Sequence, residues 1–230
     1  HSSLGGQLHL AAQVPHKEGF GDVIRQLALM AERSGAVIHL GNRVTSEVLL
    51  AEDPDVVILA TGAIPIPGDL SGSESVRWLL AGEVLEGQVK VEGCRVVLVG
   101  GGLVGLEAAD FLSARGNEVV VVEKDEEVGT KLDPLPRAML LKRLREQGVE
   151  IHTNTTVAHF QSGMALLRQG DEEITVPADT VVLAVGFRSN RELADSLGGT
   201  GLEIHVIGDA REPRGAGEAI WEGFKIGANV

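Results

Sequence analysis

Val96-Val97-Leu98-Val99-Gly100-Gly101-Gly102-Leu103-Val104-Gly105-Leu106-Glu107, running on to Val119-Val120-Val121-Val122-Glu123-Lys124, decides the fold of this chain. Four apolar residues predict a buried strand and the glycines a tight turn. A helical apolar pattern follows, and a second apolar run ends on an acid. A G-x-G-x-x-G spacing alone is weak. Here it sits between strand and helix, with Glu123 near the ~20-residue offset of a dinucleotide site. Gly100 permits the turn, Gly102 lets backbone approach a pyrophosphate, and Gly105 lets the helix lie close to its strand. Gly101, Leu103 and Val104 fill the intervening positions, where the free N–H groups of a helix start favour an anion. Glu123 would accept hydrogen bonds from a ribose diol and repel a 2'-phosphate. NAD(H) is therefore expected over NADP(H), with the adjacent Lys124 the one feature that favours the phosphate.

Composition narrows the alternatives. With 33 acidic and 20 basic residues among 230, the net charge of −13 argues against nucleic acid or an anionic membrane as partner. No apolar run approaches the ~18 residues of a membrane span, and no leader pattern opens the chain, so a cytoplasmic location is expected. A single cysteine, Cys94, leaves no C-x-x-C redox pair and no cysteine set for an iron–sulfur cluster. No P-loop, zinc-protease or nucleophile-elbow pattern is present, and neither a catalytic side chain nor a metal site is expected. The start at His1-Ser2-Ser3, without methionine, reads as a tag remnant or an artificial boundary.

In chain order, a helix is expected from Asp22, with a short strand over Val37–Leu40 and a strand buried on both faces over Asp55–Gly62. Residues 63–72 read as a connection, followed by a short helix around Val76–Leu80. Asp133-Pro134 opens a helix that closes near Gly148. Val149–His152 is a strand, and 157–160, 164–168 and 173–176 suggest an antiparallel meander. Strands over Asp179–Gly186 and Ile204–Asp209 and a closing helix over Ala216–Ala228 complete the pass.

Two parts of the chain match each other. Gly35-Ala-Val-Ile38-His39 aligns with Gly148-Val-Glu-Ile151-His152, and Asp55–Gly62 shares five of eight residues with Asp179–Gly186. The offset grows from 113 to 124, as insertion of a hairpin in the second copy would produce. We read two homologous α/β units. No G-x-G-x-x-G precedes Gly35, so the first unit either binds no nucleotide or has its glycine-rich front half in a longer chain.

These residues resemble the flavoprotein reductases with two dinucleotide domains. They are most similar to the C-terminal region of the old-yellow-enzyme-like iron–sulfur flavoenzymes of the 2,4-dienoyl-CoA reductase and trimethylamine dehydrogenase type. The resemblance covers nearly the whole chain from Leu4. It rests on Leu4-Gly-Gly-Gln-Leu8, Ala60-Thr61-Gly62, the glycine turn with Gly105-Leu-Glu107, Val185-Gly186-Phe-Arg188, and Val206-Ile-Gly208-Asp209-Ala-Arg-Glu-Pro213. It implies an α/β fold of two nested, Rossmann-like (glutathione-reductase-like) units, the first lacking its N-terminal glycine-rich βαβ. Residues 1–66 and 188–230 would form part of an FAD domain, and 67–187 an inserted NAD(P)H domain. By resemblance Gly6 and Gln7 lie along the FAD, Thr61 and Gly62 near its pyrophosphate, and Asp209, after the Gly208 turn, at the ribityl chain. Glu107 approaches the nicotinamide end, and Gly186 belongs to the same cofactor set.

The implied activity is hydride passage from NADH to FAD, which the chain would hold only with the missing N-terminal segment. Electrons would leave for an iron–sulfur cluster and FMN barrel in the remainder of the full-length flavoenzyme. The alternative is an adenine-nucleotide-binding scaffold without turnover. A disulfide oxidoreductase of similar architecture lacks its C-x-x-C here.

Overall fold

The computed structural model describes residues 2–68 and 71–230. The elements run α1 (Leu8–Ala11), α2 (Phe20–Arg33), α3 (Ser46–Glu52), β1 (Val56–Leu59), β2 (Ala63–Pro65), β3 (Arg77–Leu80), α4 (Ala81–Leu85), β4 (Arg95–Val99), α5 (Leu103–Ser113) and β5 (Glu118–Val122). They continue with α6 (Pro134–Glu146), β6 (Glu150–His152), β7 (Thr155–Gln161), β8 (Met164–Gln169), β9 (Glu172–Pro177), β10 (Thr180–Leu183), β11 (Phe187–Ser189), α7 (Glu192–Ser196), β12 (Glu203–Val206) and α8 (Ala216–Gly227). The chain divides into two compact units: unit 1 comprises residues 1–8, 24–66 and 187–230, and unit 2 residues 9–23 and 67–186.

Unit 2 is built on a five-stranded sheet of order β3-β10-β4-β5-β6, parallel throughout. β10 is buried at every position, and Val96, Val97 and Leu98 of β4 are equally inaccessible. Such β-branched runs fit a sheet covered on both faces. One face is covered by α5, whose Leu106, Ala108, Ala109 and Leu112 are fully buried among Leu98, Val121 and Val182. Val14, from the segment that follows α1, belongs to the same core. The antiparallel sheet β7-β8-β9 supplies Phe160, Ala165 and Leu167 to a second core with Val97 and Val181. This is the predicted meander.

Helices α5 and α6 are stapled through Asp110, which is fully buried. Its Oδ2 accepts from Arg143 Nε at 3.2 Å and Nη2 at 2.8 Å, and its Oδ1 from Gln147 Nε2 at 3.1 Å. At the far end of β4, Arg95 donates through N at 2.9 Å and Nε at 2.8 Å to Asp179 Oδ2, tying β4 to the entry of β10. That guanidinium holds the Asp179 carboxyl far below the ordinary range.

Unit 1 has less sheet. β1 and β12 pair in parallel, and β2 and β11 form an antiparallel ribbon. Its core gathers Val57, Leu59 and Leu197, with Leu49, Leu193, Ile204 and Val206 packed against them.

Three expectations are corrected. Residues 37–40 form no strand: Val37 is 80% exposed, whereas the repeat counterpart Glu150–His152 is held as β6 by β5. Nothing among the described residues offers 37–40 such a neighbour. The helix expected around Val76–Leu80 is the edge strand β3, because Arg77–Leu80 pairs in register with Thr180–Leu183; the helix, α4, starts only at Ala81. The strand over Asp55–Gly62 is not buried on both faces, since Ile58 of β1 stands 40% exposed. Asp69 and Leu70, in the expected connection, lie outside the described residues. No helix among the described residues is long and apolar enough to cross a membrane.

Candidate dinucleotide site

The carboxyl end of β4 turns through Gly100 into α5, and each glycine meets a different physical demand. Gly100 has φ +109°, and an added Cβ would lie 2.4 Å from the Ala184 carbonyl oxygen. A Cβ on Gly105 would lie 1.9 Å from the Gly100 oxygen, so helix and turn touch through bare backbone. At Gly102, the residue before α5, an added Cβ would meet nothing within 4 Å: the turn opens outward there. The first helical bond of α5 runs from Leu106 N to Gly102 O at 3.0 Å. The N–H groups of Leu103, Val104 and Gly105 precede it and lack an intrahelical acceptor. Free donors at the positive end of a helix, with open space beside Gly102, suit a pyrophosphate.

Glu123, at the end of β5, is buried. Its Oε2 accepts from Gly101 N at 2.5 Å and its Oε1 from Asp125 N at 3.0 Å. The carboxylate therefore braces the glycine turn, and its remaining lone pairs are what a ribose diol could use. Lys124 is exposed beside it. Gly186 lies two residues past Ala184, which follows β10 and whose N–H donates to Val99 O at 2.8 Å, at the carboxyl end of β4.

Glu107 departs from a solvated first-turn residue. Its side chain is 7% exposed and pairs with Lys17, ninety positions earlier. Burial pushes the Glu107 carboxyl up, and Lys17 opposes the shift. Sequence reasoning missed Lys17; the only signal was an isolated cation in the Pro15–Gly19 loop. It missed Val128, in the loop after Glu123, as well, and Arg137, which donates to the Val128 carbonyl.

In unit 1 the parallel pairing Leu59↔Val206 brings the carboxyl ends of β1 and β12 together, and Ile207 N donates to Leu59 O at 3.0 Å. Thr61-Gly62 and Gly208-Asp209 follow these ends. Thr61 Oγ1 donates to Asn190 O at 2.7 Å, and Asn190 N to Gly62 O at 3.0 Å. Asp209 Oδ1 accepts from Arg214 N at 3.1 Å. Glu222 of α8, unforeseen from sequence, fastens this turn: its Oε2 accepts from Gly208 N at 2.7 Å, and its Oε1 from Arg211 at 3.3 Å and from Arg214. Those donors hold the Glu222 carboxyl below its usual range, Arg214 first. Gly6 and Gln7 form a turn before α1 and share no hydrogen bond with these pairs.

The residues of unit 2 thus fit a dinucleotide by an observation of their own, the space that a Cβ on Gly102 would occupy. The fit of unit 1 to FAD is partial: two strand ends are present, but no G-x-G-x-x-G accompanies them.

Residues 23–210 match the family model described as pyridine nucleotide-disulphide oxidoreductase. The chain is 33% identical over 231 residues to a bilirubin reductase of Mediterraneibacter gnavus, covering 100% of this chain and 36% of that protein. It is 31% identical to an NADH oxidase of Thermoanaerobacter brockii, covering 97% of this chain and 35% of that protein. Among solved structures it superposes on a 2-naphthoyl-CoA reductase with TM-score 0.92 at 26% identity, covering 99% of this chain and 35% of the other. Histamine dehydrogenase from Rhizobium sp. 4-9, at TM-score 0.84 and 18% identity over 98% of this chain and 38% of the other, shares the fold. The chain spans about a third of the length of the relatives it matches. The expected resemblance and the α/β dinucleotide fold are borne out. With that family model matched over most of its length, the chain belongs to the pyridine nucleotide-disulphide oxidoreductase family.

Proposed function

We propose that this chain is the nucleotide-binding module of an NADH-dependent flavin oxidoreductase. Unit 2 holds NAD(H), and unit 1 contributes part of an FAD site that a glycine-rich segment outside residues 1–230 completes. Electrons pass onward to an iron–sulfur cluster and FMN barrel elsewhere in the full-length protein, in the cytoplasm. The observation that carries this reading is the open face at Gly102, set against the closed packing at Gly100 and Gly105.

A bound nicotinamide dinucleotide supplies a hydride, and the side chains of this chain need neither a nucleophile nor a proton donor for that chemistry. Their work is binding and orientation. Gly102 admits the pyrophosphate, the N–H groups of residues 103–105 neutralise it, and Glu123 selects the ribose. The Glu107–Lys17 pair closes the nicotinamide side of α5 as a near-neutral patch, because burial and Lys17 leave no free anion there. Thr61, Gly62, Gly208 and Asp209, with Gly6 and Gln7, serve the flavin. Relatives named as an NADH oxidase and as reductases support this assignment.

A scaffold that holds an adenine nucleotide without turnover is the second reading; relatives named as a bilirubin reductase and an NADH oxidase favour turnover instead. Parallel calorimetric titrations with NADH, NADPH and FAD test the proposal. NADH binding tighter than NADPH, with FAD weak or silent, is expected. Failure of both nicotinamide nucleotides to bind would overturn it.

A further inference from the structure

The loop after Glu123 folds back over the glycine turn. Gly129 N donates to Gly101 O at 2.8 Å, and Val128 packs so closely on Gly101 that an added Cβ would lie 2.4 Å from Val128 Cγ1. Arg137, in the first turns of α6, holds this loop: its Nε donates to Val128 O at 2.8 Å, and its Nη2 pairs with Glu127 Oε2 at 2.7 Å. The guanidinium thus bonds the carbonyl of the residue packed on the turn, and its other hydrogen bond goes to Glu127. Asp125, Glu126 and Glu127 are all exposed and continue the acidic run that begins at Glu123.

Building on the NAD(H) reading of unit 2, we propose that the Glu127–Arg137 ion pair is a second determinant of dinucleotide selectivity. Glu127 completes an acidic rim beside the adenosine ribose and occupies the one guanidinium there that could take a 2'-phosphate. A phosphate dianion is the ligand a planar guanidinium holds best, through paired N–H donors. Rim carboxylates within a Debye length repel the same group. An exposed pair of this kind adds little to stability. Glu127, with its side chain 61% exposed, can therefore be neutralised without disturbing the fold.

The test compares Kd for NADH and NADPH, by calorimetry on the whole chain, in wild type, Glu127→Gln and Glu127→Gln/Arg137→Gln. The ratio of the NADPH Kd to the NADH Kd is expected to fall about fivefold in the single variant, as one partly exposed charge-assisted contact is gained. It should climb back in the double variant, because the gain runs through Arg137. An unchanged ratio in the single variant would overturn the inference. So would a fall that survives loss of Arg137, which would make Glu127 a bulk charge only. A wild type that binds neither nucleotide refutes the reading of unit 2 and the inference with it, and is told apart by that first titration.

Discussion

β10 of unit 2 lies between two parallel neighbours, β3 and β4, and every one of its residues is buried. β1 of unit 1, its repeat counterpart, pairs with β12 alone among the described residues and leaves Ile58 40% exposed. The same contrast recurs one element away, where Glu150–His152 is a strand against β5 and residues 37–40 are not. Similar sequence therefore yields different structure, because a parallel strand exists only where a neighbour supplies its hydrogen bonds. Where the neighbours are present, the carboxyl end of the sheet carries a glycine turn closed by backbone contact and open at Gly102. Where they are absent, only two strand ends remain to meet a ligand.

The comparison can be broken most sharply by hydrogen exchange. Amides of residues 37–40 should exchange near the unprotected rate, and those of Ile151 and His152 about a thousandfold more slowly, since protection follows local opening free energy. Equal protection would remove the distinction between the two units. Next in size, Gly105→Ala places a Cβ against the Gly100 carbonyl and should cost about 3 kcal/mol in thermal unfolding of unit 2. Gly102→Ala meets no atom and should cost about 1 kcal/mol or less, through the weaker N-cap preference of alanine. It should nevertheless weaken NADH at least about tenfold by narrowing the pyrophosphate approach. Equal stability losses at the two glycines would contradict the geometry of the turn.

A smaller effect is expected at Lys17. Lys17→Ala leaves Glu107 buried without a cation and should destabilise unit 2 by about 2 kcal/mol, the low side for a buried pair because Lys17 is itself one-third exposed. The pH dependence is the finest probe. Burial raises the Glu107 carboxyl in the folded state, so the folded chain holds this proton more tightly than the unfolded chain. The stability that this confers is present in acid and is lost as pH rises from the usual glutamate range through the raised value. Glu107→Gln should flatten that fall in a denaturation series across weakly acidic pH, and an unaltered slope would remove Glu107 from the account.

Much of unit 2 could be read from the chain alone, because its signals are local. Glycine spacing, β-branched runs and the Asp133-Pro134 start each point to one element, and α6 begins at Pro134 as that start demands, although the Asp133 side chain makes no capping bond. What could not be read depends on partners distant in sequence. Arg77–Leu80 is a strand because β10 lies beside it, and residues 37–40 are not one because nothing does. Lys17 reaches Glu107, Arg137 reaches Glu127, and Glu222 fastens Gly208, and no spacing rule links those pairs. The glycine turn was visible because its constraint is steric and lies within a few residues; the ion pairs around it were not, because charge carries no register.

The most direct test of the central claim, that unit 2 carries a nicotinamide dinucleotide site at its glycine turn, is amide hydrogen exchange of the whole chain with and without NADH. The account expects NADH to slow exchange at the amides of residues 102–106 and around Glu123, with little change at Thr61–Gly62 and Gly208–Asp209. Slowing confined to those unit 1 positions, or none at the glycine turn under saturating NADH, would contradict it.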